Sequence, residues 1–316
     1  MSIKPMKGFP VEIVDGKITT PIAYPVLASY KLDGIRAVIN THKPDQLAPF
    51  STSGKILPSK HCCDMVRSEC FYGLDGEFIY GDPTDEQCFN KTQSAVMSIE
   101  WPEDLDKSQL RFYVFDDWMV EDVPFEERLE QLREACDEFQ SDSVRLVEHY
   151  RIENEAELLA LYEEALEKGY EGLIIRSPSA KYKFGRATVR EGGLGKIKPY
   201  NKELFEAEIT GWYRQKVYDE GELDAFGHRK ILKRKDNFTE IDAIGGFNVR
   251  DVKTGVEFNI GGGKMFTKLF REGQFPVADE YVGKIIQYTC MTYGGLEKPR
   301  MPTGVRMRDK IDMTNY

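Results

Sequence analysis

No apolar run in this chain approaches the length needed to cross a bilayer, and the opening segment MSIKPMKGFPVEIVDGK has no uninterrupted apolar stretch. A transmembrane anchor and a secretory signal are both unexpected on that reading, which points to a soluble, cytoplasmic protein that needs no membrane. The six cysteines (Cys62, Cys63, Cys70, Cys88, Cys136 and Cys290) form no CxxC pair and show no Cys/His ligand spacing. Structural zinc and a disulfide framework are therefore unexpected, and the cysteines read as reduced thiols. Internal repeats and low-complexity tracts are missing too, which argues against solenoid and disordered classes. Finally there is no excess of positive charge: the net charge is −10 and the pI about 5.2, which taken alone argues against a nucleic-acid binder.

What is present modifies that last point. The 316 residues, 41% hydrophobic and 30% charged, have ordinary globular composition and suffice for two domains. Basic residues are clustered. Lys181, Lys183, Arg186, Arg190, Lys196 and Lys198 face a single acid, Glu191, across residues 181–198, and Arg229, Lys230, Lys233, Arg234 and Lys235 form a second group. Acids concentrate instead at residues 121–167, on what reads as a solvated helical face. Local charge thus leans toward polyanions even though the total does not.

Before residue 120, short β-branched and aromatic runs bounded by turn residues predict strands at Val26–Tyr30 and at residues 36–40, 76–80 and 111–116. Helical periodicity takes over at residues 125–139 and 154–169, the latter stopping at Gly169, and residues 172–176 read as another buried strand. After Pro199 the pattern is mostly β, with strands at 205–213, 246–252, 256–260 and 284–290 and one helix near 266–272. Lys253-Thr254-Gly255 marks a hairpin turn between two of these strands. The boundary is expected near residues 198–202, giving domains of 1–200 and 201–316, the second a small barrel of the OB type.

Chemistry is carried by an ordered set of short motifs. Lys31-Leu32-Asp33-Gly34-Ile35-Arg36 follows an apolar strand. A lysine amine is nucleophilic only when neutral, and a protein can arrange that by burial and neighbouring charge. Asp75-Gly76-Glu77 follows, then Tyr113-Val114-Phe115-Asp116, whose two aromatics fall on one strand face by alternation. Glu171-Gly172-Leu173-Ile174-Ile175-Arg176 and Lys196-Ile197-Lys198 complete the set. In an extended segment Lys196 and Lys198 point the same way, which suits an anion held between them.

In that order, KxDGxR, DGE, YxFD, EGLxxR and KxK, these motifs resemble those of the covalent nucleotidyltransferases, and most closely the small phage and viral type of ATP-dependent DNA ligase. The resemblance runs from Lys31 to Lys198 and continues through residues 261–271, 283–288 and 296–310. It implies an α+β fold, with an ATP-grasp-like adenylation domain of antiparallel sheets and helices followed by an OB-fold β-barrel. The implied reaction seals a 5′-phosphate/3′-hydroxyl nick in duplex DNA through lysyl-AMP and adenylylated DNA. ATP is the cofactor, magnesium (or manganese) the metal, and nicked DNA the partner of a monomer. By the same resemblance Lys31 is the nucleophile and Asp33 assists it. Tyr30, Arg36, Glu77, Phe115, Arg190, Lys196 and Lys198 hold the nucleotide, with Phe115 stacked on adenine. Glu171 holds the metal. Lys55, Lys230, Lys233 and Lys235 meet DNA, and Arg308 and Lys310 close the second domain over ATP.

Three departures from the family pattern stand out. Ser29 occupies a position where an acid is usual, Thr52 one where an arginine is usual, and Arg306-Met307-Arg308-Asp309-Lys310 has motif spacing one residue short. RNA ligases share the first five motifs, and a catalytically silent binding homologue would share the fold; these are the alternatives the sequence leaves open.

Overall fold

A computed structural model describes residues 3–43, 46–138, 142–199, 204–218, 238–291 and 298–308. The chain divides into two compact units, Met1–Tyr200 and Asn201–Tyr316. The mixed content is α+β, as expected. No helix among the described residues is long and apolar enough to cross a membrane.

The first unit contains two five-stranded sheets and a small two-stranded one. One sheet runs in the order Phe9–Val11, Leu194–Ile197, Leu173–Arg176, Val26–Tyr30, Tyr150–Ile152. The other runs Gln46–Phe50, Ile35–Lys43, Leu74–Tyr80, Leu110–Asp117, Val144–Leu146. Neighbours are antiparallel except Phe9–Val11 with Leu194–Ile197 and Leu110–Asp117 with Val144–Leu146. Along Leu110–Asp117, burial alternates strictly. Leu110, Phe112 and Val114 enter the core under the second sheet, while Tyr113 and Phe115 take the opposite face, as the two-residue period requires.

Helix Glu155–Glu167 starts where Asn154 accepts a hydrogen bond from the Glu157 amide (3.1 Å), and it packs Leu158, Leu161 and Ala165 into the core of the first sheet. The helix expected at 125–139 is seen as Phe125–Glu138. Helix Cys88–Met97 has no counterpart in the sequence reading. Its Asn, Thr, Gln and Ser content gives weak local propensity, and it is held by burial of Thr92, Ala95 and Val96.

In the second unit the strand order is Glu257–Ile260, Phe238–Asp251, Phe205–Tyr218, Ile285–Met291, Arg300–Arg308. The two outer strands approach through a parallel bridge between Gly262 and Thr303, with the Gly304 amide donating to the Gly262 carbonyl at 2.8 Å. This is the partly open five-stranded barrel of an OB fold. The strand expected at 205–213 continues to Tyr218, bent by register shifts near Ile209 and Tyr213. The hairpin pairs Asn248 with Asn259 and Arg250 with Glu257, and the Asp251 carboxylate accepts from the Lys253 and Thr254 amides at 3.0 and 2.6 Å. Phe247, Phe258, Phe266 and Tyr288 fill the interior. The helix forms at Lys268–Gly273, and strand Arg300–Arg308 was not anticipated.

Candidate active site

Lys31 directly follows the inner strand Val26–Tyr30, and two close backbone approaches hold it there. Its amide donates to the Gly172 carbonyl at 2.9 Å. Gly172 has φ +142°, and a Cβ there would lie 2.2 Å from the Ile197 carbonyl oxygen, so only glycine fits. Gly34 is similarly constrained, since a Cβ would meet the Phe78 carbonyl at 2.2 Å; its amide donates to Glu77 Oε1 at 2.9 Å. The Lys-x-Asp-Gly segment is thus held to Gly172 at one end and to the Glu77–Phe78 stretch at the other.

The side chains gather around one cavity of about 280 Å³ between the two sheets of the first unit. One sheet contributes Ser29, Tyr30, Lys31, Ile174, Arg176, Leu194 and Lys196, and the other side contributes Arg36, Glu77, Phe115, Val147 and His149. The amine of Lys31 forms an ion pair with Glu171, which is only 7% exposed. Burial works against a charged amine there, but Glu171, then Glu77 and Asp33, prevail and hold it above the ordinary lysine range. The free site therefore keeps Lys31 protonated. Lys198 Nζ lies 3.6 Å from the other Glu171 oxygen. Burial, followed by the charges of Lys198, Arg186 and Lys31, pulls Lys196 below the usual lysine range.

Arg36 pairs in register with Glu77 across the second sheet. Its guanidinium is locked by two hydrogen bonds to Asp75 (2.9 and 2.6 Å) and one to the Met6 carbonyl (2.7 Å), and it lies 5.2 Å from the centre of the Phe115 ring. Burial pushes the Glu77 carboxyl up to about 6, against the pull of Lys31, the Gly34 amide and Arg36. Behind Phe115, Asp116 is fully buried between Arg128 and Arg176. Burial alone would raise its pKa, but the two guanidiniums hold it below the carboxylate range.

Of the residues named from sequence, Lys31, Tyr30, Arg36, Glu77, Phe115 and Lys196 line the cavity, and Glu171 and Lys198 adjoin it through the Lys31 pair. Asp33 acts on the Lys31 amine electrostatically. The Tyr30 hydroxyl donates to Glu164 at 2.9 Å, and the ring stacks on Tyr170 with centres 4.5 Å apart. Arg190 is exposed and stays outside the lining; Arg186 stands there instead. Lys55 is exposed on the turn 51–55. In the second unit Arg308 forms an ion pair with Glu206. Lys230, Lys233, Lys235 and Lys310 lie outside the described residues.

The sequence reading missed Lys7, His149, Arg176 and Arg186. Arg186 sat in the basic segment already noted. Lys7 carried no local signal, because it reaches the site through its own parallel bridge to Arg186 and the neighbouring pairing of Phe9–Val11 with Leu194–Ile197.

The arrangement offers a lysine beside a carboxylate, a cationic flank and an aromatic plate, a combination suited to a nucleotide triphosphate. The family model for the ATP dependent DNA ligase domain matches residues 5–198. The chain is 31% identical over 107 residues to the DNA ligase of African swine fever virus (Warthog/Namibia isolate), an alignment covering 33% of this chain. It spans only 25% of that viral protein. Among solved structures, a Chlorella virus DNA ligase-adenylate superimposes with TM-score 0.51 at 25% identity, covering 98% of this chain and 99% of the other. A Lig E DNA ligase superimposes with TM-score 0.59 at 21% identity over 94% of this chain and 100% of its own, a likeness of fold. The matched segment takes in more than half of the chain and contains the whole lysine-centred cavity; the chain belongs to the ATP-dependent DNA ligase family.

Proposed function

We propose that this protein seals 5′-phosphate/3′-hydroxyl nicks in duplex DNA, using ATP and passing AMP through Lys31 to the DNA. Residues 1–200 are read as the adenylation domain and 201–316 as its OB partner. The observation that carries the proposal is the Lys31 amine lining a cavity shared with Phe115, Glu77, Lys196 and Arg186, its charge met by the buried carboxylate of Glu171.

Lys31 attacks the α-phosphorus of ATP, its N–P bond forming as the bond to pyrophosphate breaks. Its surplus proton must leave first, and Asp33, which acts on the amine electrostatically, assists that loss while Glu171 is kept for the metal. Lys196, Lys198 and Arg186 offset the charge of the triphosphate; burial first, then the neighbouring charges of Lys198 and Arg186, holds Lys196 below the usual lysine range. Phe115, with Arg36 behind it, offers a face for the base.

The carboxylate available beside the Lys31 amine is that of Glu171, and a single carboxylate completed by substrate phosphates suits magnesium. Glu171 would hold it, and the bound ion would neutralise charge developing on phosphoryl oxygens. DNA contacts, Lys55 among them, would go mainly to phosphates and so be independent of sequence.

The test is sealing of a nicked DNA duplex beside the same nick in an RNA duplex, with ATP and magnesium. The proposal expects joining of DNA that is lost in Lys31→Ala. Joining confined to RNA, or joining that survives Lys31→Ala, contradicts it.

A further inference from the structure

One group on the cavity wall has no part in the phosphoryl chemistry. His149 lies just beyond strand Val144–Leu146 and lines the cavity together with Phe115 and Ile174. Its Nδ1 is 2.9 Å from the Val147 carbonyl oxygen. A carbonyl oxygen only accepts, so Nδ1 carries the proton, and a neutral ring then presents a bare lone pair at Nε2. The ring is neutral at working pH: burial, with Arg176 and more weakly Arg133 adding repulsion, lowers its pKa to about 4 against the pull of the Val147 carbonyl and Asp116. An edge contact with Phe125, ring centres 5.4 Å apart, holds the plane of the imidazole. Among the described residues Nε2 makes no hydrogen bond.

The other polar side chains on this wall are less selective or already engaged. A serine hydroxyl such as Ser29 can donate or accept and so cannot tell an amino group from an oxo group. Arg176 is tied to Asp116. Glu77 accepts from the Gly34 amide and interacts with Lys31 and Arg36. His149 is left as a neutral side chain that can only accept.

We propose that His149 selects the base of the nucleotide, accepting through Nε2 a hydrogen bond from the exocyclic 6-amino group of adenine. This deepens, and rests on, the reading of the cavity as an ATP pocket. Guanine would set its 6-oxo group against the same lone pair, acceptor facing acceptor, leaving both unpaired. The proposal also accounts for Ser29, since a family position that usually carries an acid can be neutral when the acceptor comes from another element.

The experiment pairs a protein change with a ligand change. Transfer of label to the protein is measured with α-labelled ATP and with α-labelled purine riboside triphosphate, which lacks the 6-amino group, in wild type, His149→Ala and His149→Phe. Wild type should prefer ATP by about tenfold, the size expected for one buried hydrogen bond. Both variants should use the two nucleotides with equal efficiency, and their preference for ATP over GTP should narrow by a similar factor. Each ratio is taken within one protein, so partial loss of folded material does not alter it. His149→Phe keeps a ring against Phe125 if the alanine variant does not fold. An unchanged ATP preference in both variants overturns the role of His149 while leaving the ATP pocket intact. Absence of label from every nucleotide on wild type, even after pyrophosphate has stripped any bound AMP, overturns the pocket reading itself and this inference with it.

Discussion

Among the described residues, the buried charged groups of the first unit are Asp75, Asp116, Arg128, Glu171 and Arg176, and in the second Asp251 is the buried charge. Those of the first unit are matched to cations or anions: Asp75 to Arg36, Asp116 to two arginines, Glu171 to Lys31 and Lys198. Asp251 is met by neutral donors, the Tyr288 hydroxyl at 2.7 Å and the amides of its own hairpin turn. Both units rest on five-stranded sheets, so sheet architecture does not explain the difference. Buried ion pairs rarely outdo well-packed apolar groups in stability. Their presence around one cavity of the first unit points to preset charge for a charged substrate, whereas the second unit uses its buried carboxylate to shape a turn.

That contrast can be broken by substitution. Asp116→Ala strands two buried guanidiniums and should cost about 3–5 kcal/mol, read from denaturant unfolding. Because Asp116 is held below the carboxylate range in the fold, its contribution is present above the unfolded value near 4 and lost as pH falls through the folded one. The variant should therefore show a flatter acid limb of stability against pH. An equal loss in Asp251→Ala would erase the distinction between the units.

Glu171→Gln should slow lysyl-AMP formation by about 10²-fold or more, with little change in melting temperature. Since Glu171 is the main group raising the Lys31 amine, the alkaline midpoint of the residual rate should move to lower pH. Full activity in this variant would make Glu171 structural and leave the charges of the first unit without their catalytic reason. Asp251→Asn, which keeps a side-chain acceptor for the turn, should cost only about 1–2 kcal/mol. The smallest expected effect is that of Lys55→Ala, which should lower the slope of log binding constant against log salt for nicked DNA by about 0.9, one phosphate's worth; an unchanged slope takes that turn out of the interface.

What could be read from sequence was local or ordered. The hairpin at Lys253-Thr254-Gly255 was legible because its turn chemistry lies within a few residues, and the helix after Asn154 because its cap and apolar stripe are contiguous. Lys31, Glu77, Phe115 and Lys196 were legible as an ordered set, and the fold gathers them around one cavity. Lys7 and His149 were not, because strand pairings between distant segments deliver them. Arg186 and Arg190 sit in the same basic segment, and the bridge of Arg186 to Lys7, with its hydrogen bond to the Gly8 carbonyl, places that one on the cavity lining. Helix Cys88–Met97 escaped notice because burial, not propensity, forms it.

The central claim is that the lysine beside Glu171 carries the nucleotide. Protein stripped with pyrophosphate, then incubated with ATP and magnesium, should gain one AMP by intact mass, and peptide mapping should place it on Lys31. An adduct on any other residue, or no adduct under conditions where the protein still seals nicked DNA, would contradict the account.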